Sequence, residues 1–455
     1  MKNTSLMAGA AVIDITPQTS VPLAGHFARR DSEGVHDPLH ARALVIQNGQ
    51  TRLVFVLLDL IYIQEIDCTP LRRDIAEALD IPLANVCVSC THTHTGPVTR
   101  PAFSAPKNEE YLQWALPRAA EAAKQAAAAL TPAEVAWGKG HEARPQYNRR
   151  FHMRDGSVRF NPGDPDNTLH PAGPTDPELP LLLVRRATDK TPLAILANYS
   201  LHYIGDFSSM KISADYFGEF SRLAAERFDP ECVAMLTHGA SGDINNVNHQ
   251  KLPTPWYPEK MEPKERSILI AGWLLDQVEK VWQEAVWHND VEIGAVSQTY
   301  MLPVRKLSPE EQAYARHAEQ DEDLTPVQRH YARNWLKLLN EPAVLPQVVS
   351  AFRVGNWGAA TMTGEIFCQL GIDLKYASPF EVTALIELAN GHMGYVPTRS
   401  SFAVGGYETW HSRHFFGDLN CGHEMVAMAS AGLRQLWLNE DEDKIAAANR
   451  KSEGP

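Results

Sequence analysis

The feature that most constrains this chain is the apolar run Ala84-Asn85-Val86-Cys87-Val88-Ser89 leading into Cys90-Thr91-His92-Thr93-His94-Thr95-Gly96-Pro97. The run reads as a buried strand, and Gly96-Pro97 stops it and turns the backbone. Side chains alternate faces along a strand, so His92 and His94 are expected on one side and Thr93 on the other. Two imidazoles at the C-terminal edge of a strand can supply a metal ligand and a polar group beside it.

The rest of the chain supplies partners for such a strand. Ala41 to Ile46 and Leu53 to Leu58 are apolar runs separated by Asn48-Gly49, a two-residue hairpin signal. Thr69-Pro70 is expected to open a helix through Leu79. An Ala-rich helix is expected from Asn108 to Leu130, and a strand from Glu134 to Gly138. Residues 141–178 lack periodicity and read as a long functional loop. Further strands are expected at Leu181 to Arg185, Ala194 to Tyr199 and Val233 to Thr237, with a helix from Tyr216 to Phe228. An amphipathic stripe predicts a helix within 263–287, and Ser308 to Leu339 reads as a charged helical hairpin broken near Thr325-Pro326, a solvated covering layer. Late strands are expected at Val348 to Arg353, Gly358 to Met362 and Val382 to Leu388, and a terminal helix at Glu424 to Trp437. The expected architecture is α/β. One large domain, residues 1–440, has mixed sheets flanked by helices, a metal site at strand ends, a helical section at 263–340 and a polar tail at 441–455.

Composition removes several function classes. A net charge of −13 argues against a nucleic-acid groove, which needs phosphate-neutralising Lys and Arg. No stretch approaches the roughly 20 apolar residues of a membrane helix. Six cysteines in 455 residues are too sparse for a disulfide framework and favour a reducing compartment, so the expected localisation is cytoplasmic. Cys87 and Cys90 form a CxxC whose thiols face opposite sides of a strand, which suits a core better than a zinc knuckle.

Four other segments place polar groups at strand ends or turns. His202 follows the strand ending at Tyr199, where a lone histidine is ordinarily structural. Thr237-His238-Gly239-Ala240-Ser241-Gly242-Asp243 has two glycines that let the backbone approach something closely. Glu365 follows Thr363-Gly364 and is either a helix N-terminal charge or a ligand. Tyr395 lies in a glycine-rich turn, with Tyr407-Glu408 beyond it. Jointly, His, His, Glu and Tyr at strand ends describe a nitrogen- and oxygen-rich site suited to zinc (Zn2+).

In this order the landmarks resemble the catalytic domain of the neutral/alkaline non-lysosomal ceramidases, from about residue 8 to residue 435. Gly9 to Thr16, Gly34-Val35-His36, Phe55-Val56-Leu57-Leu58-Asp59 and above all Thr91 to Pro97 are similar to that family's motifs. The resemblance implies His92, His202, Glu365 and Tyr395 as zinc ligands. It implies His94 as a substrate or oxyanion contact, Arg149 as a substrate contact, and Tyr407 over the scissile group. The family's Gly-Asp-Val-Ser-Pro-Asn carries an essential serine, whereas this chain has Gly242-Asp243-Ile244-Asn245-Asn246; Asn245 is expected to orient a water or a substrate oxygen instead. The chain also stops before the family's C-terminal immunoglobulin-like domain.

The expected activity is zinc-dependent hydrolysis of an amide (N-acyl) bond in a small-molecule substrate other than ceramide itself. Asp59, His238 and Asp243 are candidates for orienting the ligands. The alternatives are hydrolysis of an ester, lactone or sugar-linked substrate, and a non-catalytic binding protein on the same fold. Oligomeric state is not readable from the sequence.

Overall fold

Asn48-Gly49 turns the chain as its sequence requires. Strands His40–Asn48 and Thr51–Leu58 pair antiparallel, with Asn48 opposite Thr51 and Gly49 at φ 57°. This hairpin sits in an eight-stranded sheet, in the order Val233–His238, Pro192–Tyr199, Glu178–Arg186, Thr131–His141, Met7–Asp14, His40–Asn48, Thr51–Leu58, Val86–Cys90. The two outermost pairs are parallel and the interior pairs antiparallel. A four-stranded sheet follows, in the order Ile293–Pro303, Val344–Val354, Trp357–Thr361, Val382–Ile386, its last pair parallel. The computed structural model describes residues 6–438 apart from 102–104, 206–209, 250–253, 258–260 and 411–416, so the tail expected at 441–455 lies outside the described residues.

Alternation along the strands builds the layers. Val54, Val56 and Leu58 join a core shared with helices Glu65–Leu79 and Glu109–Ala128, whereas Leu53, Phe55 and Leu57 face Phe352, Val354 and Trp357 of the second sheet. Cys90 and Cys87 fall in these two different cores, as their spacing predicts. Helices Asp215–Arg227 and Pro263–Glu284 cover the other half of the large sheet, and helices Cys368–Ala377 and Cys421–Leu438 cover the far face of the small one. The result is four layers: helices, large sheet, small sheet, helices.

Three expectations need correction. The first helix begins at Glu65 rather than at Thr69, so Pro70 lies inside it. The hydrogen bond Pro70 cannot make would fall on Ile66, whose side chain is 76% exposed, on the solvent side of the helix. Strand Ile293–Pro303 was not anticipated, because neither of its faces is continuously buried and its apolar alternation is weak. The loop 141–178 contains strands: Arg150–Met153 pairs with both Val158–Phe160 and Thr168–Pro171, and Tyr147–Asn148 pairs with Ile244–Asn245. The expected helical hairpin is present as Pro309–Gln320 and Pro326–Leu338, capped by Ser308 and Thr325.

At one rim the two sheets are joined by polar contacts. Asn390 N donates to Val88 O at 2.7 Å while Val88 N donates to Asn390 Oδ1 at 3.1 Å. Asn198 Nδ2 donates to Leu385 O at 2.9 Å, and Glu387 N donates to His238 O at 3.0 Å. This rim is where the parallel pairs end, the usual place for a site in a sheet of this kind. Phe55 is 2% exposed and its ring lies 5.2 Å from Phe352 and 6.0 Å from Trp357. Phe55→Ala is expected to destabilise the fold by about 3–5 kcal/mol, read as a lower urea midpoint.

Candidate metal centre

Strand Val86–Cys90 ends earlier than the sequence suggests, and His92 adopts φ 65°. A left-handed residue is costly outside glycine and asparagine. His92 N–H donates to Leu60 O at 2.9 Å and fixes that turn. His92 and His94 therefore meet through a turn and not by strand alternation; their Nε2 atoms are 3.2 Å apart. His202, beyond strand Pro192–Tyr199, brings its Nε2 to 3.1 Å from that of His92.

Each of these rings is tethered through its other nitrogen. His92 Nδ1 meets Ile61 O at 2.8 Å, His94 Nδ1 meets Gly25 O at 2.9 Å, and His202 Nδ1 meets Ser241 O at 3.2 Å. A carbonyl can only accept, so Nδ1 carries the proton in all three and every Nε2 presents a lone pair. Burial pushes His92 down to about 4, and pushes His94 and His202 well below the usual histidine range, which keeps the rings neutral. Gly25 permits the tether on His94: at φ 82°, a Cβ there would lie 2.3 Å from the imidazole.

Glu365 completes the cluster. Its Oε2 is 3.6 Å from His92 Nε2 and 3.7 Å from His202 Nε2, and it is buried with no hydrogen-bond partner. Burial works against this carboxylate, but the hydrogen bond from His392 and the permanent charge of Arg149 hold it below the usual carboxylate range. Four acceptor atoms thus converge with no proton among them. Zn–N and Zn–O distances of about 2.0–2.2 Å give a tetrahedral edge of roughly 3.4 Å. The His92–His202–Glu365 separations of 3.1, 3.6 and 3.7 Å bracket that edge, so the donor set fits the ion. His92, His94 and His202 also form a compact buried triad able to hold a metal.

Tyr395 is paired with Glu365 in a short parallel bridge, Glu365–Ile366 against Tyr395–Val396. Burial and the Glu365 charge hold its phenol protonated. Arg149 reaches the same place, its guanidinium 5.3 Å from the Tyr395 ring centre. Arg149 Nε donates to Glu408 Oε1 at 2.9 Å, while Nη2 is buried without a partner. The Tyr407 ring is 5.7 Å from that of Tyr395. Asn245 is engaged away from the histidines: its Nδ2 donates to Asn161 Oδ1 at 2.9 Å and its Oδ1 accepts from Val247 N at 3.0 Å.

Of the three orienting candidates, Asp59 stands apart, accepting from Arg42 Nη1 at 2.7 Å and from His40 N at 2.8 Å. Asp243 fixes the Arg149 loop instead of a histidine, accepting from Asn148 Nδ2 and Cys368 N at 2.8 Å each. His238 belongs to the site's frame, with its ring 5.8 Å from that of His202.

Sequence reasoning missed four groups here. Glu387, fully buried, accepts from His238 Nδ1 at 2.7 Å, Ser241 Oγ at 2.9 Å and Ile366 N at 2.5 Å. It therefore ties together the neighbours of both His202 and Glu365. His392 places Nε2 3.4 Å from Glu365 Oε1 and stacks on Tyr62 at 3.9 Å. Tyr203 stacks on His94 at 3.5 Å. Tyr331, from the hairpin expected only to cover the surface, brings its hydroxyl within 3.3 Å of the Tyr407 hydroxyl. A carboxylate directly after the apolar strand Val382–Ile386 was the available signal for Glu387. The two glycines near Ser241 do mark close approaches: a Cβ on Gly242 would lie 2.5 Å from Glu365 O.

Comparison with known proteins identifies the family and the fold. Residues 6–246 match the family described as neutral/alkaline non-lysosomal ceramidase, N-terminal. The neutral ceramidase from Pseudomonas aeruginosa superposes with a TM-score of 0.72 at 17% identity, covering 96% of this chain and 75% of that one. A ceramidase complexed with C2 superposes with a TM-score of 0.69 at 16% identity, covering 95% of this chain and 76% of the other. No curated protein matches the chain. With more than half of its length matched, landmarks in order and the same fold, the chain belongs to the neutral/alkaline non-lysosomal ceramidase family.

Proposed function

We propose that the protein is a zinc-dependent hydrolase of an amide (N-acyl) bond, with His92, His202, Glu365 and Tyr395 holding the ion. The observation that carries this reading is the convergence of unprotonated acceptors, in which Glu365 Oε2 is buried and unpaired. A buried carboxylate oxygen left without a partner is costly, and a cation is the group that relieves it. When bound, zinc supplies Lewis acidity, polarising a carbonyl oxygen and acidifying water.

The remaining groups divide the work by their protons. With Nδ1–H given to Gly25, neutral His94 has only a lone pair at Nε2. It therefore acts as the base that takes a proton from the attacking water, and it returns that proton to the leaving nitrogen. The donors for the carbonyl oxygen as it gains charge are Arg149, through its unpaired Nη2, and the Tyr407 hydroxyl. Asn245 acts one step removed: it holds Asn161, whose N–H bonds Arg149 O at 2.8 Å. Glu387 positions His202 through Ser241 and Glu365 through Ile366.

Metal analysis of purified protein is expected to give stoichiometric zinc, lost in both His92→Ala and Glu365→Ala. Metal-free wild type, or variants that retain zinc, would overturn the assignment. On a panel of chromogenic amides and esters, amide cleavage is expected to vanish with chelator and return with zinc; Arg149→Ala should lower kcat by roughly 10²–10³-fold.

Glu387→Gln is expected to weaken zinc affinity by about 10–100-fold in a chelator competition, and to lower the unfolding midpoint of the metal-free protein, because an amide N–H then faces a donor that the carboxylate accepts from. Equal affinity in wild type and variant would show that the carboxylate does not position the ligands.

Acidification provides a further check on metal-free protein. The unfolded chain protonates its histidines near pH 6.5, whereas folded His92 resists until about pH 4. Between those values the unfolded state binds more protons, so stability present above pH 6.5 should decline as pH falls toward 4. His92→Ala should flatten that slope in urea titrations.

A further inference from the structure

One imidazole beside the metal centre carries its proton on the opposite nitrogen from the three clustered rings. His92, His94 and His202 each turn Nδ1 to a carbonyl, whereas His392 turns Nδ1 to a donor, Arg100 Nη1, at 3.3 Å. A guanidinium can only donate, so Nδ1 of His392 accepts and the ring's proton sits on Nε2. That N–H donates to Glu365 Oε1 at 3.4 Å. His392 therefore has no lone pair left for a cation, and Arg100 is what fixes this tautomer. The two oxygens of Glu365 are distinguished as a result. Oε1 is taken by His392, while Oε2 is the buried atom without a partner that faces His92 and His202.

The relay from Arg100 to Glu365 is built stiffly. The His392 ring lies flat on Tyr62, with centroids 3.9 Å and planes 13° apart, and the Arg100 guanidinium is 5.3 Å from the Tyr62 ring centre. Tyr62 is held in turn by Thr99, whose hydroxyl donates to Tyr62 O at 2.5 Å. Arg100, Tyr62 and His392 are all buried. On the other side, Glu365 N–H donates to Gly394 O at 2.9 Å, two residues past His392, so the two backbones are fixed relative to each other. The ring cannot turn without leaving Tyr62. A carboxylate whose Oε1 is held in this way meets an ion through Oε2 alone. Released, it could turn and chelate through both oxygens, the mode that suits larger, oxygen-seeking cations such as Mn2+ better than zinc.

We propose that Arg100 and His392 are positioning residues that keep Glu365 a single-oxygen ligand and thereby set the centre's preference for zinc over manganese. The proposal rests on the zinc reading, and its test reads metal binding in place of turnover. The whole chain, stripped of metal, would be titrated with Zn2+ and with Mn2+ in chelator competition. His392→Ala is expected to weaken zinc binding by about 10–100-fold and to narrow the zinc-to-manganese affinity ratio by roughly tenfold. Arg100→Met, which frees Nδ1 to take the proton, should narrow the ratio in the same direction. His392→Gln, whose amide keeps a donor where Nε2 stood, should hold the ratio near that of wild type. A role confined to supporting the fold would weaken both ions alike and leave the ratio where it was. An unchanged ratio in either His392→Ala or Arg100→Met, or a glutamine variant as impaired as the alanine one, would overturn this proposal and leave the zinc reading standing on the wild-type titration. Wild type that takes up no zinc would overturn both.

Discussion

Three imidazole lone pairs and a carboxylate oxygen face one another across 3.1 to 3.7 Å with no proton among them, and the rest of the structure is arranged to hold them there. Left alone, such acceptors would rotate to find donors. They cannot, because each ring is tethered at Nδ1 to a backbone carbonyl, and Glu365 is fixed through its strand partner Tyr395 and through His392 at its other oxygen. Tethering by backbone also selects the tautomer, so orientation and protonation state come from the same contacts.

The frame behind those tethers belongs to both sheets. His92, His202 and His238 leave the large sheet, whereas Glu365 and Glu387 leave the small one. The centre can therefore exist only once the sheets are packed, with Phe55, Phe352 and Trp357 filling the space between them. At the rim, the Val88–Asn390, Asn198–Leu385 and His238–Glu387 hydrogen bonds set the separation that packing alone would leave loose. Glu387 is notable for satisfying all its contacts without a lysine or arginine: a histidine, a hydroxyl and a backbone N–H share its charge.

Much of this was legible in the sequence where the signal was local. The Asn-Gly hairpin, the helical hairpin broken at Thr325-Pro326, and the split of Cys87 and Cys90 between two cores each follow from a few adjacent residues. Local reasoning failed where the determinant lay far along the chain. The left-handed turn at His92 depends on Leu60, and strand Ile293–Pro303 is held by its neighbour Val344–Val354 more than by its own pattern. Glu387, His392 and Tyr331 looked like a buried acid, a turn histidine and a surface aromatic. Only the packing of separate segments gives them their contacts with the centre.

The distribution of protons across the site has a direction. On one side stand acceptors: the three Nε2 atoms and the Glu365 oxygen. On the other stand donors: Arg149, and the phenol of Tyr407, which burial keeps protonated. Arg149 can sit among them because Glu408, shared with Arg150, offsets part of the pair's charge, leaving one nitrogen of Arg149, Nη2, unspent. A lysine could not divide itself this way, since it lacks a fork that pairs with a carboxylate and still points a donor elsewhere. Under the proposed reaction this asymmetry is the catalytic property of the fold. Negative charge growing on a carbonyl oxygen moves toward fixed donors, and the proton released by water moves toward a ring already emptied to receive it.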